Sequence, residues 1–478
     1  MSSKVLSSFI WKFLERSGTH IIQFILQIIL ARILSPDDYG IVAIVTVFIT
    51  LANVFIQNGF NTALIQKKDV DDLDYSSVFY LSFFVAIILY AIIFVTSPII
   101  AKFYGNSLLI SVLRVLSTNL FFGVFNSIQH AIISKRLQFK KYFISSLISI
   151  ILSGLLGIYL AYNGYGVWAL VYQQLCNIII NVIVQFIIVK WHPKLMFSFK
   201  RVKVLFSYGW KLLCSSLIDN LYTHIYDLVI GKKYTTSDLA FYNRGKQFPY
   251  FIVNNVNSSI SSVLLPVMSI KQDDHNAVKR MMRRSIVVSS YIMIPMMFGL
   301  VVVAEPMVSL ILTNKWSQCV PFLQILCFSY ALWPIHTANL QAINAVGRSD
   351  IFLKLEVIKK IFGIIVLLVT IPLGLYAMAW GQIFSSIVSS FINSYPNKKL
   401  LNYGYIEQVK DILPAIILSL VMMIIISLIG LLKLNNVVTI LFQLISGIII
   451  YVLFSYIFKL EGFVYLLNIL KKIRKKEL

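Results

Sequence analysis

Lys12, Arg16, His20, Gln23 and Gln27 recur at spacings of four, four, three and four, so in a helix they fall on one face. They lie inside an otherwise apolar segment, 8–32, that is long enough to cross a bilayer. Lys211, Ser215, Asp219, Tyr222 and Tyr226 repeat the pattern in a second apolar segment, and Trp11-Lys12 is echoed by Trp210-Lys211. A charge at the centre of a membrane helix costs about 2.5 to 3.5 kcal/mol on insertion scales, so it faces a cavity or a partner. The chemistry that suits the first stripe is anion binding. Arg16 can grip an oxyanion through two parallel hydrogen bonds, with Lys12 and Lys211 as supporting point charges. The competing reading is internal pairing, in which Glu15 neutralises a neighbouring base and the two lysines snorkel to the surface.

The second stripe adds acids. Asp219 and Asp227, near His224, are candidates for ion coupling: a buried carboxylate with no cation beside it takes up a proton or a sodium ion. The alternative for Asp219 is a structural ion pair with Arg16, Arg114 or Lys211. Arg114, Arg244 and Lys246 could form an exit path for the same anion, against interfacial snorkelling for the last two. The uncharged groups Gln23, Gln27, Gln57, Asn58, Asn257 and Tyr222 suit a ligand rich in hydrogen-bond donors and acceptors. Helix-to-helix hydrogen bonding is the competing use of membrane Asn and Gln. His336, like His20 and His130, reads as a hydrogen-bonded packing residue, and Lys359 and Lys360 pair with Glu356 at i,i+3 and i,i+4.

The elements that must position these residues follow from composition. Of 478 residues, 58% are hydrophobic and 13% charged, and the mean hydropathy is +0.82. No soluble core absorbs that much apolar surface, so the chain is an all-α polytopic membrane protein. About 20 residues span a hydrocarbon core, and about fourteen such segments are expected: 8–32, 40–60, 76–97, 107–133, 143–162, 167–189, 207–231, 246–269, 285–304, 318–345, 352–372, 375–395, 411–430 and 436–458. No cleavable signal is expected, because Lys12, Glu15 and Arg16 interrupt any apolar core of one.

The net charge of +23 would suggest nucleic acid in a soluble protein. Here the bases cluster in alternate loops, among them Lys135, Arg136, Lys140 and Lys141, then Lys190 to Lys203, then Lys271 to Arg284, and finally the tail 471–476. The positive-inside bias explains them, makes those loops cytoplasmic and puts both termini inside. Cys176, Cys214, Cys319 and Cys327 have no metal-ligand spacing and read as small packing residues. No loop is long enough to form a catalytic domain.

An internal repeat at an offset near 200 aligns Ser35-Pro36-Asp37-Asp38 with Thr235-Thr236-Ser237-Asp238, and Gly166-Val167-Trp168-Ala169-Leu170 with Gly374-Leu375-Tyr376-Ala377-Met378. Each repeat holds six crossings, so the halves share an orientation and are expected to enclose a central cavity. The expected layout is an N-terminal six-helix lobe over 1–190, a basic cytoplasmic linker over 191–206, a C-terminal six-helix lobe over 207–397, and two additional helices with a basic tail over 398–478.

Several short motifs resemble the polysaccharide-transporter branch of the multidrug/oligosaccharidyl-lipid/polysaccharide exporter superfamily. They are Arg32 to Gly40 (RILSPDDYG), Gly59 to Lys67 (GFNTALIQK), Arg136-Leu137-Gln138-Phe139, Gly166 to Val171 (GVWALV) and Leu265 to Ser269 (LPVMS). The likeness is nearest to the Wzx-type exporters of colanic and teichuronic acid repeat units. It implies a MATE-like fold in the bacterial cytoplasmic membrane. The implied activity is a flippase that moves an undecaprenyl-pyrophosphate-linked oligosaccharide to the outer leaflet by alternating access. No cofactor and no covalent chemistry are implied, although a proton or sodium gradient is a possible energy source. Implied partners are the lipid-linked sugar, membrane lipids and polysaccharide assembly proteins such as a polymerase. The rival readings are a drug/cation antiporter or a lipid II flippase of the same superfamily and, from another class, a polysaccharide polymerase or ligase. The last usually needs a large outward loop, and none is present here.

Overall fold

A computed structural model describes residues 3–57, 60–432 and 434–474, with side chains described except at 3–10, 12–17, 208, 259, 469–470 and 472–474. Every regular element among these residues is helical. Eleven helical stretches are long and apolar enough to cross a membrane. The chain divides into two compact units, Met1–Ala240 and Phe241–Leu478.

The first unit holds α1 (Ser3–Ile33), α2 (Pro36–Gln57), α3 (Phe60–Gln66), α4 (Asp72–Tyr104), α5 (Leu108–Leu116), α6 (Asn119–Lys135), α7 (Phe139–Tyr162), α8 (Val167–Val189) and α9 (Phe199–Lys233). It also takes in the first residues of α10 (Thr236–Ser269). α7 packs on α8 and α1, α6 on α2, α4 and α8, and α9 on α2, α3 and α4. The sequence boundary at 207 follows the repeat; the compact unit follows this packing and so contains α9.

The entries to α2 and α10 are built alike. Asp38 Oδ2 accepts from the Ser35 backbone N–H (3.0 Å) and hydroxyl (2.6 Å), while Ser35 Oγ accepts from the Asp38 N–H (3.3 Å). Asp238 and Thr235 make the same reciprocal set at 3.1, 2.8 and 3.1 Å. A hydroxyl three residues before an acid satisfies helix-end donors that would otherwise be orphaned, which gives the aligned tetrapeptides a shared physical purpose.

The second unit is organised around α11 (His275–Leu312), with α12 (Val320–Ala331), α13 (Trp333–Ala345), α16 (Tyr405–Gly430), α17 (Asn436–Ile457) and α18 (Glu461–Arg474) packed on it. α14 (Ser349–Thr370) pairs with α15 (Leu375–Leu401), which also packs on α12 and α13. The single segments expected at 107–133 and 318–345 are each broken in two, at Ser117-Thr118 and at Leu332. Pro334 in the first turn of α13 cannot continue a helix from before it.

α18 is held to α11 by charge. Arg283 donates to both Glu461 oxygens at 2.6 Å and to Asp411 at 2.9 Å. The Arg283 guanidinium holds the Glu461 carboxyl below its ordinary range. A depressed carboxylate stabilises the folded state above its unfolded value, and the gain disappears as pH falls through the folded value. Because both partners are partly open, the contribution is about 1 kcal/mol or less. The protection factors of the amides across 461–468, taken relative to intrinsic exchange at each pH, are therefore expected to fall below about pH 4 while those in α11 are kept; an equal fall in the two would refute a local latch.

Candidate functional site

The α1 stripe is open. His20 and Gln23 are exposed and Gln27 is half-buried. At about 100° per residue, Arg16, His20, Gln23 and Gln27 fall within an arc of about 60°. Ile21 and Ile25, each 51% exposed, lie about 150° away on a second, apolar open face. Between them Leu26 seats against Gly154 of α7. A helix with one open apolar face and one open polar face has one side suited to lipid and one suited to water. The side chains of Lys12 and Arg16 lie outside the described residues, as does Asn58.

α9 shows the same division. Lys211, Ser215 and Asp219 are exposed and Tyr222 is half-buried, while Tyr226 is buried. Trp210, Ile218 and Leu221 form the neighbouring open apolar face. The packed face carries His224, Asp227 and Gly231, the last against Ile44 and Tyr104. The two candidate coupling acids therefore part company. They are about 80° apart around the axis and about 12 Å apart along it, with Asp219 open and Asp227 buried at 7% exposure, its Oδ2 2.9 Å from His224 Nδ1.

The remaining candidates are spread through both units. Arg114 is tied to α4: its Nε donates to Ser97 Oγ at 3.0 Å, and its guanidinium lies 4.0 Å from the centre of the Phe94 ring. Arg244 does not snorkel; it is 6% exposed, donates to Gln247 Oε1 at 2.6 Å and lies 5.1 Å from the Trp316 ring centre. Lys246 is half-buried. Gln57 donates to Asn53 Oδ1 at 3.4 Å. Asn257 keeps a buried Oδ1 with no hydrogen-bond partner among the described residues. Lys359 pairs with Glu356 at 2.6 Å, and His336 is held between Ser386 and Asn393.

Two polar constructions were not singled out by sequence reasoning. Asn177 and Asn181 of α8 donate to Ser153 and Ser149 of α7, and Gln185 reaches Asn126 of α6. Both partners recur every four residues, Ser145, Ser149 and Ser153 against Asn177, Asn181 and Gln185, a signal present in the sequence. The second is the fully buried Asp74, which accepts from Lys67 at 2.7 and 2.6 Å and lies 3.6 Å from Arg201. Beside it, Asp72 receives Trp191 and Lys194 (3.2 and 2.5 Å), and Ser76 and Ser77 accept from the backbone N–H groups of Lys194 and Ser198. The basic stretch after α8 is thereby strapped to the start of α4.

No group of three or more metal-ligating side chains occurs among the described residues, and the four cysteines are free. The helical fold, with eleven stretches long and apolar enough to cross a membrane among the described residues, is that of a multi-pass membrane protein. Its fold is that of a lipid II flippase MurJ in an inward closed conformation, matched with a TM-score of 0.77 at 18% identity over 95% of this chain and 98% of that one. An inward-facing MATE-family multidrug transporter of the MOP superfamily follows at 0.61 and 14%, over 80% and 94%.

Residues 29–321 match the family described as polysaccharide biosynthesis protein, and the chain belongs to that family. Among its relatives are the succinoglycan biosynthesis transport protein ExoT of Rhizobium meliloti (25% identical, covering 80% of this chain and 75% of that protein) and the teichuronic acid biosynthesis protein TuaB of Bacillus subtilis (22%, 83% and 82%). The lipopolysaccharide biosynthesis protein WzxC of Escherichia coli is 24% identical over 77% and 76%.

Proposed function

We propose that this protein is a flippase that moves an undecaprenyl-pyrophosphate-linked oligosaccharide repeat unit from the inner to the outer leaflet of the bacterial cytoplasmic membrane by alternating access. The observation that carries this reading is the pair of open polar faces on the helices α1 and α9, in a chain of a polysaccharide biosynthesis family. Relatives named for succinoglycan transport and for teichuronic acid and lipopolysaccharide biosynthesis support the substrate class. In this reading α1, α9 and α14 join the eleven apolar stretches to make about fourteen crossings. These form two six-crossing repeats and two C-terminal helices, with both termini cytoplasmic.

Arg16, Lys12 and Lys211 receive the pyrophosphate. Gln23, Gln27, Gln57, Asn58, Asn257 and Tyr222 serve the sugar, and Arg114, Arg244 and Lys246 mark the exit. Asp219 and Asp227 are the candidates for a coupling proton or sodium ion. A deletion strain is expected to accumulate inward-facing, polyprenyl-linked single repeat units, measured by mass spectrometry. Outward-facing unjoined units would instead mark a polymerase. Arg16→Ala is expected to leave the protein in the membrane yet cut outer-leaflet repeat units at least about tenfold, the loss of one charge-assisted contact worth about 1.5 to 3 kcal/mol. Wild-type export by that variant would remove Arg16 from the site.

A further inference from the structure

The nine residues between α8 and α9, 190–198, are tied down along their backbone. The Trp191 carbonyl accepts from Gln129 of α6 at 3.0 Å, and the indole N–H donates to Asp72 of α4 at 3.2 Å. The Lys194 and Ser198 N–H groups donate to Ser76 Oγ at 3.1 Å and Ser77 Oγ at 2.9 Å, and the Met196 N–H closes a tight turn on the Lys194 carbonyl at 2.7 Å. The side chains of the same stretch are open. Leu195 is 97% exposed, Phe197 52% and Phe199, at the start of α9, 70%. A backbone fixed at several points holds these groups outward, and a contiguous apolar patch left open marks a contact surface.

The seat of this strap gives its depth. Ser76 and Ser77 open the crossing expected at 76–97, and α4 rises about 30 Å from Ser77 to Ser97, the thickness of a hydrocarbon core. The strap therefore stands at one edge of that core, where headgroups begin. Open rows on both neighbouring helices lead to it. On α8, Ile183, Ile187 and Lys190 follow at four and three residues, apolar within the span and basic at its end. On α9, Phe199, Lys203, Phe206 and Trp210 follow at four, three and four, and all are exposed.

The bases of the stretch divide into two sets. Lys194 is engaged by Asp72, and Arg201 by Asp71 and Asp74. Lys190, Lys200 and Lys203 are exposed and make no ion pair among the described residues. Aromatic rings and lysines together are the composition of a membrane–water interface. There a lysine lays its stem along hydrocarbon and lifts its ammonium to the headgroup level, while open apolar groups enter the boundary between headgroups and acyl chains.

We propose that residues 194–199 form an interfacial anchor: Leu195, Phe197 and Phe199 enter the headgroup boundary of one leaflet, and Lys190, Lys200 and Lys203 meet the phosphates of anionic phospholipids there. A protein partner is the other surface that such a patch fits. Lipid fits better, because the patch is continuous with the open apolar rows of α8 and α9 and stands at the edge of the hydrocarbon. The strap's own N–H groups occupy Ser76 and Ser77, so the anchor also fixes the depth at which α4 enters the bilayer. The inference rests on the chain crossing a membrane and is independent of what it carries.

The test places a photoreactive benzophenone in the position of the Phe197 side chain in the full chain, an exposed site where the fold tolerates the change. It is illuminated in cells and in nanodiscs of equal parts phosphatidylcholine and phosphatidylglycerol. Mass spectrometry of the peptide is expected to find adducts on phospholipid acyl chains in both settings, and the same group at Leu195 should repeat the result. In the nanodiscs the ratio of phosphatidylglycerol to phosphatidylcholine adducts is expected to exceed one. It should fall by up to about fivefold in Lys200→Gln and again in Lys200→Gln/Lys203→Gln, the factor that corresponds to about 1 kcal/mol for each base near an anionic surface. Lys271→Gln, which removes an exposed base of the second unit, should leave the ratio unchanged. Absence of lipid adducts at both positions, or adducts in cells mainly on another protein, overturns the anchor. A ratio of one, or one that the lysine variants do not move, overturns the contact with anionic headgroups.

Discussion

Lys67→Met is expected to lower stability by about 3 kcal/mol, at the lower end of the cost of breaking a buried ion pair by removing one partner. Asp74 is fully buried, and Lys67 supplies its two close contacts at 2.7 and 2.6 Å. Arg201, at 3.6 Å, is shared with Asp71 and cannot replace a bidentate ammonium. Asp74 also closes a reciprocal cap with Asp71 at the start of α4, so strain on its carboxylate reaches the helix end. The double variant Lys67→Met/Asp74→Leu is expected to recover most of the loss, because a buried ion pair replaced by apolar groups is often neutral. Thermal unfolding in detergent of the wild type, the two single variants and the double variant gives the coupling energy directly. Additive losses would show that the two residues act independently.

The contrast between this cluster and the polar stripes shows which parts of the molecule were legible in the sequence. Eleven of the fourteen expected crossing positions coincide with helical stretches long and apolar enough to cross a membrane, because a run of about 20 apolar residues is dictated by the bilayer itself. Helix ends were not legible. α9 begins at Phe199 rather than 207, α10 at Thr236 rather than 246 and α11 at His275 rather than 285. Their first turns are polar or basic, and hydropathy detects hydrocarbon, whereas a helix continues into water wherever a cap such as Ser198 or Asp274 starts it. α18 escaped for the same reason, being a short amphipathic helix in what read as a basic tail.

Within the site, four-residue spacing placed Gln23 with Gln27 and Lys211 with Asp219. It also predicts that Asp219 and Asp227 stand on different faces, once eight residues are converted to rotation. What spacing could not give is which face is covered. Asp227 is buried because Ile44 of α2 and Tyr104 of α4 meet α9 near Gly231, and those contacts join residues more than 100 positions apart. Lys67, Asp74 and Arg201 likewise come together only through tertiary packing; in the sequence they are three ordinary loop charges.

The strongest geometric demand of the first unit falls on a residue with no side chain. Gly40 lies in the first turns of α2, and a Cβ there would stand 2.9 Å from the Thr236 Cα and nearer still to its carbonyl carbon and oxygen. Backbone cannot swing aside as a side-chain tip can. Gly40→Ala must therefore separate the start of α2 from residues 235–237, where Asp37 accepts from the Thr236 and Ser237 hydroxyls. Overpacking costs about 1 to 3 kcal/mol when neighbours can give, and the upper end is expected here. Gly299 is the matched control. It lies inside α11 with nothing within 4 Å of its Cβ position, so Gly299→Ala should gain up to about 1 kcal/mol from helix propensity alone. Measured side by side in detergent, the two identical substitutions should move the unfolding midpoint in opposite directions. A neutral Gly40→Ala would mean that α2 and the Thr236 turn do not meet this closely, and the matched caps at Ser35 and Thr235 would then be a resemblance of sequence without a shared contact.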